Sequence, residues 1–239
     1  MADLAIITPT RGRPRRFAKL VRAVDATAAG SVEIWTGLDY DDESDYFSAV
    51  ADVPGAARCV SYRGERRSLS AWTNHLAEQA LAGDHPPRYL ASMGDDHRPR
   101  TPDWDLELIA AIDSLGASPG FAYGNDLFQG ANLCTAWVVS ARIVTALGWM
   151  MLPACEHMFV DNATLALGRA AGAIAYRPGV IIEHLHPVAG KADWDDTYRA
   201  TNNQARYNGD EAAYNTWVRD HLAADVATVR TLSPAPVGR

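Results

Sequence analysis

Three consecutive residues, Asp95-Asp96-His97, follow a short apolar run, Tyr89-Leu90-Ala91, and a glycine, Gly94. Two adjacent carboxylates repel each other unless a cation or hydrogen-bond donors neutralise them. Set at the end of a buried strand, they deliver two hard oxygen donors to one edge of a sheet, the edge where open α/β sheets bind ligands. The alternative is a plain turn, in which each aspartate bonds nearby backbone amides. A second pair, His184 and His186, lies at i and i+2 in Val180–Pro187. Strand alternation puts both imidazoles on one face, opposite Glu183 and Leu185. Imidazole combined with carboxylate suits Mn²⁺ better than a pure oxygen site would.

Two more groups of polar residues end apolar runs in the same way. Leu4-Ala5-Ile6-Ile7 breaks into Thr8-Pro9-Thr10-Arg11-Gly12-Arg13-Pro14, and Val32 to Leu38 breaks into Asp39-Tyr40-Asp41-Asp42. A strand, an Arg/Gly/Pro loop and then a helix place backbone amides and guanidinium groups beside a phosphate. The loop holds one glycine and neither GxGxxG nor GxxxxGK, which excludes the usual dinucleotide and P-loop fingerprints.

The elements that must position these residues follow from periodicity. Phe17, Leu20, Val21 and Val24 fall at helical spacing after Pro14. Arg58–Tyr62 reads as a third strand, and Ser68 is a natural N-cap for a helix running to Leu81. The alternation β-α-β-α-β-α-β predicts one α/β domain, with a mostly parallel central sheet and helices on both faces. Beyond it, the pattern predicts a helix over 106–115, strands over 121–126 and 135–140, and a helix over 141–147. A further helix ends at Gly172, a last strand covers 180–187, and one final helix covers 210–229. Residues 1–100 and 101–200 form the two halves, 201–232 a C-terminal helical segment, and Ser233 to Arg239 a loose end.

At 239 residues the chain is long enough for one sizeable core, and its net charge of −7 argues against a general polyanion binder. Three widely spaced cysteines, Cys59, Cys134 and Cys155, fit neither a disulfide framework nor a zinc spacing, so a reducing, cytoplasmic setting is expected. No run of about 18 apolar residues predicts a membrane span, and Met1-Ala2-Asp3-Leu4 lacks the design of a signal peptide.

In order, a strand into Thr8-Pro9-Thr10, a strand into Asp39, a helix carrying Asn74 and a strand into Asp95-Asp96 resemble a nucleotide-sugar glycosyltransferase of the GT-A fold, in its family-2-like form. The resemblance covers roughly Ile6 to Tyr198, and only the order of its short motifs is specific. It implies transfer of a hexosyl or pentosyl group from a nucleoside-diphosphate sugar to an acceptor hydroxyl, with inversion. Thr8, Pro9, Thr10, Arg11, Arg13, Asp39, Asp41, Asn74 and Asp95 would then serve the nucleotide sugar. Asp96, with His184 or His186, would hold a divalent metal, Mn²⁺ or Mg²⁺. The motif reads Asp-Asp-His where the family has DxD, so either aspartate is open as the metal ligand, with Asp96 favoured. Lys191, in the loop Gly190–Tyr198, would meet the diphosphate or lie in a solvated loop.

The same resemblance puts a carboxylate at the start of the helix after Phe159. Asp161 matches it as the base, with Glu156 in reserve; capping that helix is its bland alternative. The acceptor stays open among sugar, protein and modified nucleic-acid base. Rival functions are a metal-dependent phosphoesterase or nuclease, and a non-catalytic nucleotide-sugar-binding module.

Overall fold

The computed structural model describes residues 3–116 and 119–232; the tail from Ser233 lies outside the described residues. Its centre is β1 (Leu4–Ile7), four buried residues flanked in parallel by β2 (Val32–Asp39) and β4 (Tyr89–Ser92). A further parallel strand, β3 (Cys59–Gly64), pairs with β2. Beyond β4 the sheet turns mixed: β7 (Trp137–Ser140) runs antiparallel to β4 and to β6 (Phe121–Asn125). Next come β8 (Ile174–His184), parallel to β6, and β5 (His97–Pro99), antiparallel to β8, giving the order β3-β2-β1-β4-β7-β6-β8-β5.

Strand pleating sorts β1 onto two cores. Leu4 and Ile6 pack with α1 (Pro14–Thr27) and α4 (Trp104–Asp113) on one face. Ala5 and Ile7 pack with α3 (Leu69–Ala82) on the other, with Trp72 and Leu76 buried there. Both faces of the parallel strands are therefore covered, which is why they read as unbroken apolar runs. Because β1 leads to β2 on one side while β4 joins on its other side, the crossover reverses between β1 and β4. That reversal leaves a crevice at the carboxyl ends of these strands. Thr8–Arg13, Asp39 and Met93–His97 all emerge there.

The α/β architecture expected from the periodicity is the one observed, with local differences. The Asp45 side chain caps the short α2 (Tyr46–Val50), and α5 (Ala141–Leu147) and α6 (Val160–Ala171) follow in the second half. The last strand begins at Ile174, six residues before its apolar core, because the register with β6 jumps from Arg177 to Ile181. That irregularity hides its first half from a simple alternation count. It ends at His184, so His186 belongs to a following turn and the expected shared strand face does not extend to it. After α7 (Asp196–Thr201), the final helix is two helices, α8 (Gln204–Asp220) and α9 (Leu222–Thr231), broken at His221.

Helix α8 is anchored through Asp210, a buried carboxylate that accepts the backbone amides of Glu156, His157 and Met158 at 2.7, 2.9 and 2.7 Å. Removing that acceptor strands three amides, each costing about 1–3 kcal/mol if left unpaired. Asp210→Ala is expected to lower Tm by about 10 °C, read by calorimetry against the parent.

Candidate functional site

Asp95 and Asp96 are only 4% and 7% exposed, so two adjacent charges sit inside the protein and each is compensated separately. Asp95 accepts a 2.6 Å hydrogen bond from Thr10 Oγ1 and faces the Arg13 guanidinium at 3.4 Å. Asp96 lies 3.4 Å from His97 Nδ1 and 3.5 Å from His184 Nε2, and it accepts the Tyr198 hydroxyl. Burial and the neighbouring Asp96 push Asp95 above the usual carboxylate range. Burial would raise Asp96 too, but the hydrogen bonds and charges of His184 and His97 hold it well below. His184 is correspondingly raised, Asp96 overcoming the burial that would lower it.

Gly94 leaves room for this turn. A Cβ there would stand 2.6 Å from Asp96 Oδ1 and 3.2 Å from His97 Nδ1, so a larger residue would push both side chains out of place. His97 Nδ1 accepts the Gly94 amide at 2.9 Å, and the His97 and His184 rings stack with centroids 4.3 Å apart.

Asp96, His97 and His184 each offer a donor atom within 4.8 Å of the others, the spacing of a metal site. The donor set fits a divalent transition ion: one carboxylate oxygen and two imidazole nitrogens. His97 Nε2 and His184 Nδ1, the ring nitrogens turned away from Asp96, are buried without a hydrogen-bond partner among the described residues, and because His97 Nδ1 accepts the Gly94 amide, a cation on His97 would have to displace that bond. His97 is the residue that sequence reasoning passed over. Its signal was visible, a histidine standing where the DxD pattern has its second acid. His186 lies beside this group rather than in it: its ring is 5.0 Å from His184, stacks on Phe128, and its Nδ1 accepts the Val188 amide.

The crevice around this turn is a cavity of about 790 Å³, with Arg13, Asp39, Asp96, Asp161, His184 and Tyr207 among its walls. Pro9, Thr10, Arg11, Glu156 and His186 also line it, whereas Thr8, Asp41, Asn74, Asp95 and Lys191 do not. Asp39 takes Trp72 Nε1 at 2.7 Å and Arg11 at 2.8 Å, and the Arg11 guanidinium also grips Asp41. Trp72 reaches Asp39 because it lies on Gly37, where a Cβ would be 2.5 Å from the indole ring. Asn74 is spent on backbone: it accepts the Met150 and Met151 amides and donates to the Met151 carbonyl. Lys191 is held by Glu183 at 3.1 Å and by the Leu127 carbonyl.

Across the cavity, the loop held by Asp210 leads into α6 through Phe159, left-handed at φ 63° and occupying the cap position. Asp161 therefore sits in the first turn of the helix, not at its cap. A helix N-terminus favours the ionised form. Desolvation outweighs it, aided by the charges of Asp126 and Asp96 against His184, and lifts Asp161 to about 7. Glu156, by contrast, has a side chain 61% exposed and paired with Arg206 at 3.2 Å.

No protein-family model matches the chain, and no curated protein does. Solved structures do. A mannosyltransferase from Pyrobaculum calidifontis, in complex with GDP-Man and Mn²⁺, superposes with a TM-score of 0.56 at 13% identity, covering 95% of this chain and 79% of that one. The fold is GT-A. Glucosyl-3-phosphoglycerate synthase from Mycobacterium tuberculosis, with Mg²⁺ and UDP, gives 0.58 at 10% identity over 90% of this chain and 80% of that one. TarS 1–349 from S. aureus, with UDP-GlcNAc, gives 0.57 at 8% identity over 92% and 73%. Among the described residues of this GT-A chain, no helix is long and apolar enough to cross a membrane.

A carboxyl raised to about 7 in the native state and near 3.8 when unfolded penalises folding once it must ionise. The penalty is absent below the unfolded value, grows as pH rises towards the folded value, and is constant above it. Asp161→Asn removes it, so the variant is expected to gain thermal stability over the parent by several degrees at pH 8 and by little at pH 4. Equal differences at both pH values would contradict an elevated Asp161.

Proposed function

We propose that this protein is a metal-dependent glycosyltransferase that moves a sugar from a nucleoside-diphosphate donor to an acceptor hydroxyl. The observation carrying the reading is one cavity whose walls bring together a group able to hold a cation, Asp96 with His97 and His184, and an elevated carboxyl, Asp161. The neighbours in complex with GDP-Man, UDP or UDP-GlcNAc, two of them with Mn²⁺ or Mg²⁺, support it.

In this reading Asp96, His97 and His184 hold the divalent ion, Mn²⁺ or Mg²⁺. The bound ion supplies Lewis-acid neutralisation of the departing diphosphate. Arg13, with Arg16 behind it, meets the phosphate oxygens as charge develops there. Pro9, Thr10 and Arg11 line the nucleoside side, and Asp39 fixes that wall by orienting Trp72 and Arg11. Asp95, out of the cavity, acts by orienting Thr10 and Arg13. Asp41, Asn74 and Lys191 support the surrounding loops through their own bonds. Asp161 takes the proton from the acceptor hydroxyl as it attacks the anomeric carbon, and the configuration inverts. A group ionising near 7 is matched to that task at neutral pH. The acceptor is a sugar, a protein or a modified nucleic-acid base. A two-metal phosphoesterase is disfavoured, because the cation group among the described residues contains a single carboxylate.

The test is turnover of a panel of UDP- and GDP-sugars with Mn²⁺, with separate assays for nucleoside diphosphate and inorganic phosphate. Release of nucleoside diphosphate, abolished by EDTA, is expected; release of phosphate alone, or no turnover across acceptors, overturns the reading. With an acceptor in hand, transfer should rise with pH through about 7, as Asp161 loses its proton. Asp161→Asn should lose about 10²- to 10⁴-fold in rate while nucleotide affinity holds.

A further inference from the structure

The short helix α7 sits on the cation and arginine side of the cavity, and its contacts there are unusual in kind. Asp195, its cap, places both carboxylate oxygens on Arg13, with Nη2 at 2.6 Å and Nε at 2.9 Å, and one of them also lies 3.3 Å from Arg16. Three residues on, the Tyr198 hydroxyl donates to Asp96 Oδ2, the oxygen that also faces His184. The Arg13 guanidinium lies 3.9 Å above the centre of the Tyr198 ring, and Arg16 lies at 5.1 Å. Thr197 Oγ1 adds a bond to the Arg11 carbonyl, and both Thr197 and Tyr198 form part of the cavity wall.

A planar anion bidentate on an arginine is the arrangement a phosphate group would make with the same guanidinium. A hydroxyl donating to Asp96 uses the lone pair that a cation would use. We propose that Asp195 and Tyr198 form an internal stand-in for the ligand. Asp195 takes the diphosphate's place on Arg13 and Arg16, Tyr198 takes the cation's place on Asp96, and α7 must lift for either to bind. This rests on the functional reading above. It adds that the docked helix keeps Arg13, Arg16 and Asp96 electrically satisfied and scales the site's apparent affinity by the fraction of molecules that are open.

Because the two contacts sit on one helix, loading one half of the site favours loading the other. The cation displaces Tyr198 and loosens Asp195, while the diphosphate displaces Asp195 and loosens Tyr198. Cation and diphosphate are thus coupled through the protein as well as through their own attraction.

Two substitutions remove the contacts and little else. Tyr198→Phe keeps the ring beneath Arg13 and loses the hydroxyl. Asp195→Asn keeps a good helix cap for the Tyr198 amide and loses the charge. Binding of Mn²⁺ alone, followed by electron paramagnetic resonance, is expected to tighten about 3- to 10-fold in Tyr198→Phe, the worth of one released hydrogen bond. Binding of inorganic pyrophosphate at saturating Mn²⁺, followed by calorimetry, is expected to tighten by a similar factor in Asp195→Asn. Hydrogen exchange of the amides in 196–201 should speed up in both variants and in the parent once ligands are added. Parent binding with unchanged or weaker affinity in the variants overturns the stand-in while leaving the functional reading intact. Absence of Mn²⁺ binding in the parent and in the double variant overturns both.

Discussion

Two neighbouring carboxylates inside a folded protein are the constraint on which this structure turns. An uncompensated buried charge costs several kcal/mol, and β4 delivers two of them, Asp95 and Asp96, to the same point. They are satisfied in opposite directions. Asp95 turns into the protein, towards Thr10 and Arg13 at the end of β1. Asp96 turns towards the cavity and meets imidazoles from its own turn and from the end of β8. The buried Arg98, bonded through its guanidinium to the carbonyls of Asp95, His97 and Arg16, ties the turn to α1 from behind.

The same constraint explains how the two halves cooperate. The parallel half, β3-β2-β1-β4, supplies the crevice, the arginines and the aspartates. The mixed half supplies His184 through β8 and Asp161 through α6. The cavity therefore has a strongly polar floor on one side. On the other stands Asp161, whose carboxyl burial lifts to about 7. The C-terminal segment belongs to this arrangement rather than to its periphery. Asp210 fixes the loop before α6, and α7 covers Arg13 and Asp96.

Much of the architecture was legible because the parallel strands are buried on both faces and therefore apolar throughout, as in Leu4–Ile7 and Tyr89–Ala91. Their polar ends, Thr8–Arg13, Asp39 and Asp95-Asp96, stood out against them. The start of β8 was not legible, since Ile174–Gly179 is half-exposed and interrupted by a register jump. Nor was the break at His221, which uses neither glycine nor proline. Side-chain roles were harder. Asn74 and Lys191 carry the residue types expected of ligand contacts, yet their bonds go to backbone and to Glu183. Tyr198 and Asp195 meet partners 102 and 182 residues away, a pairing that no local spacing encodes.

The account stands or falls on what occupies the turn at Asp96. Crystals soaked with Mn²⁺ and UDP or GDP, measured on both sides of the manganese absorption edge, would locate the ion directly. The account predicts one anomalous peak within coordination distance of Asp96, His97 and His184, with the diphosphate bridging it to Arg13. A peak elsewhere, or a nucleotide bound outside this crevice, would contradict it.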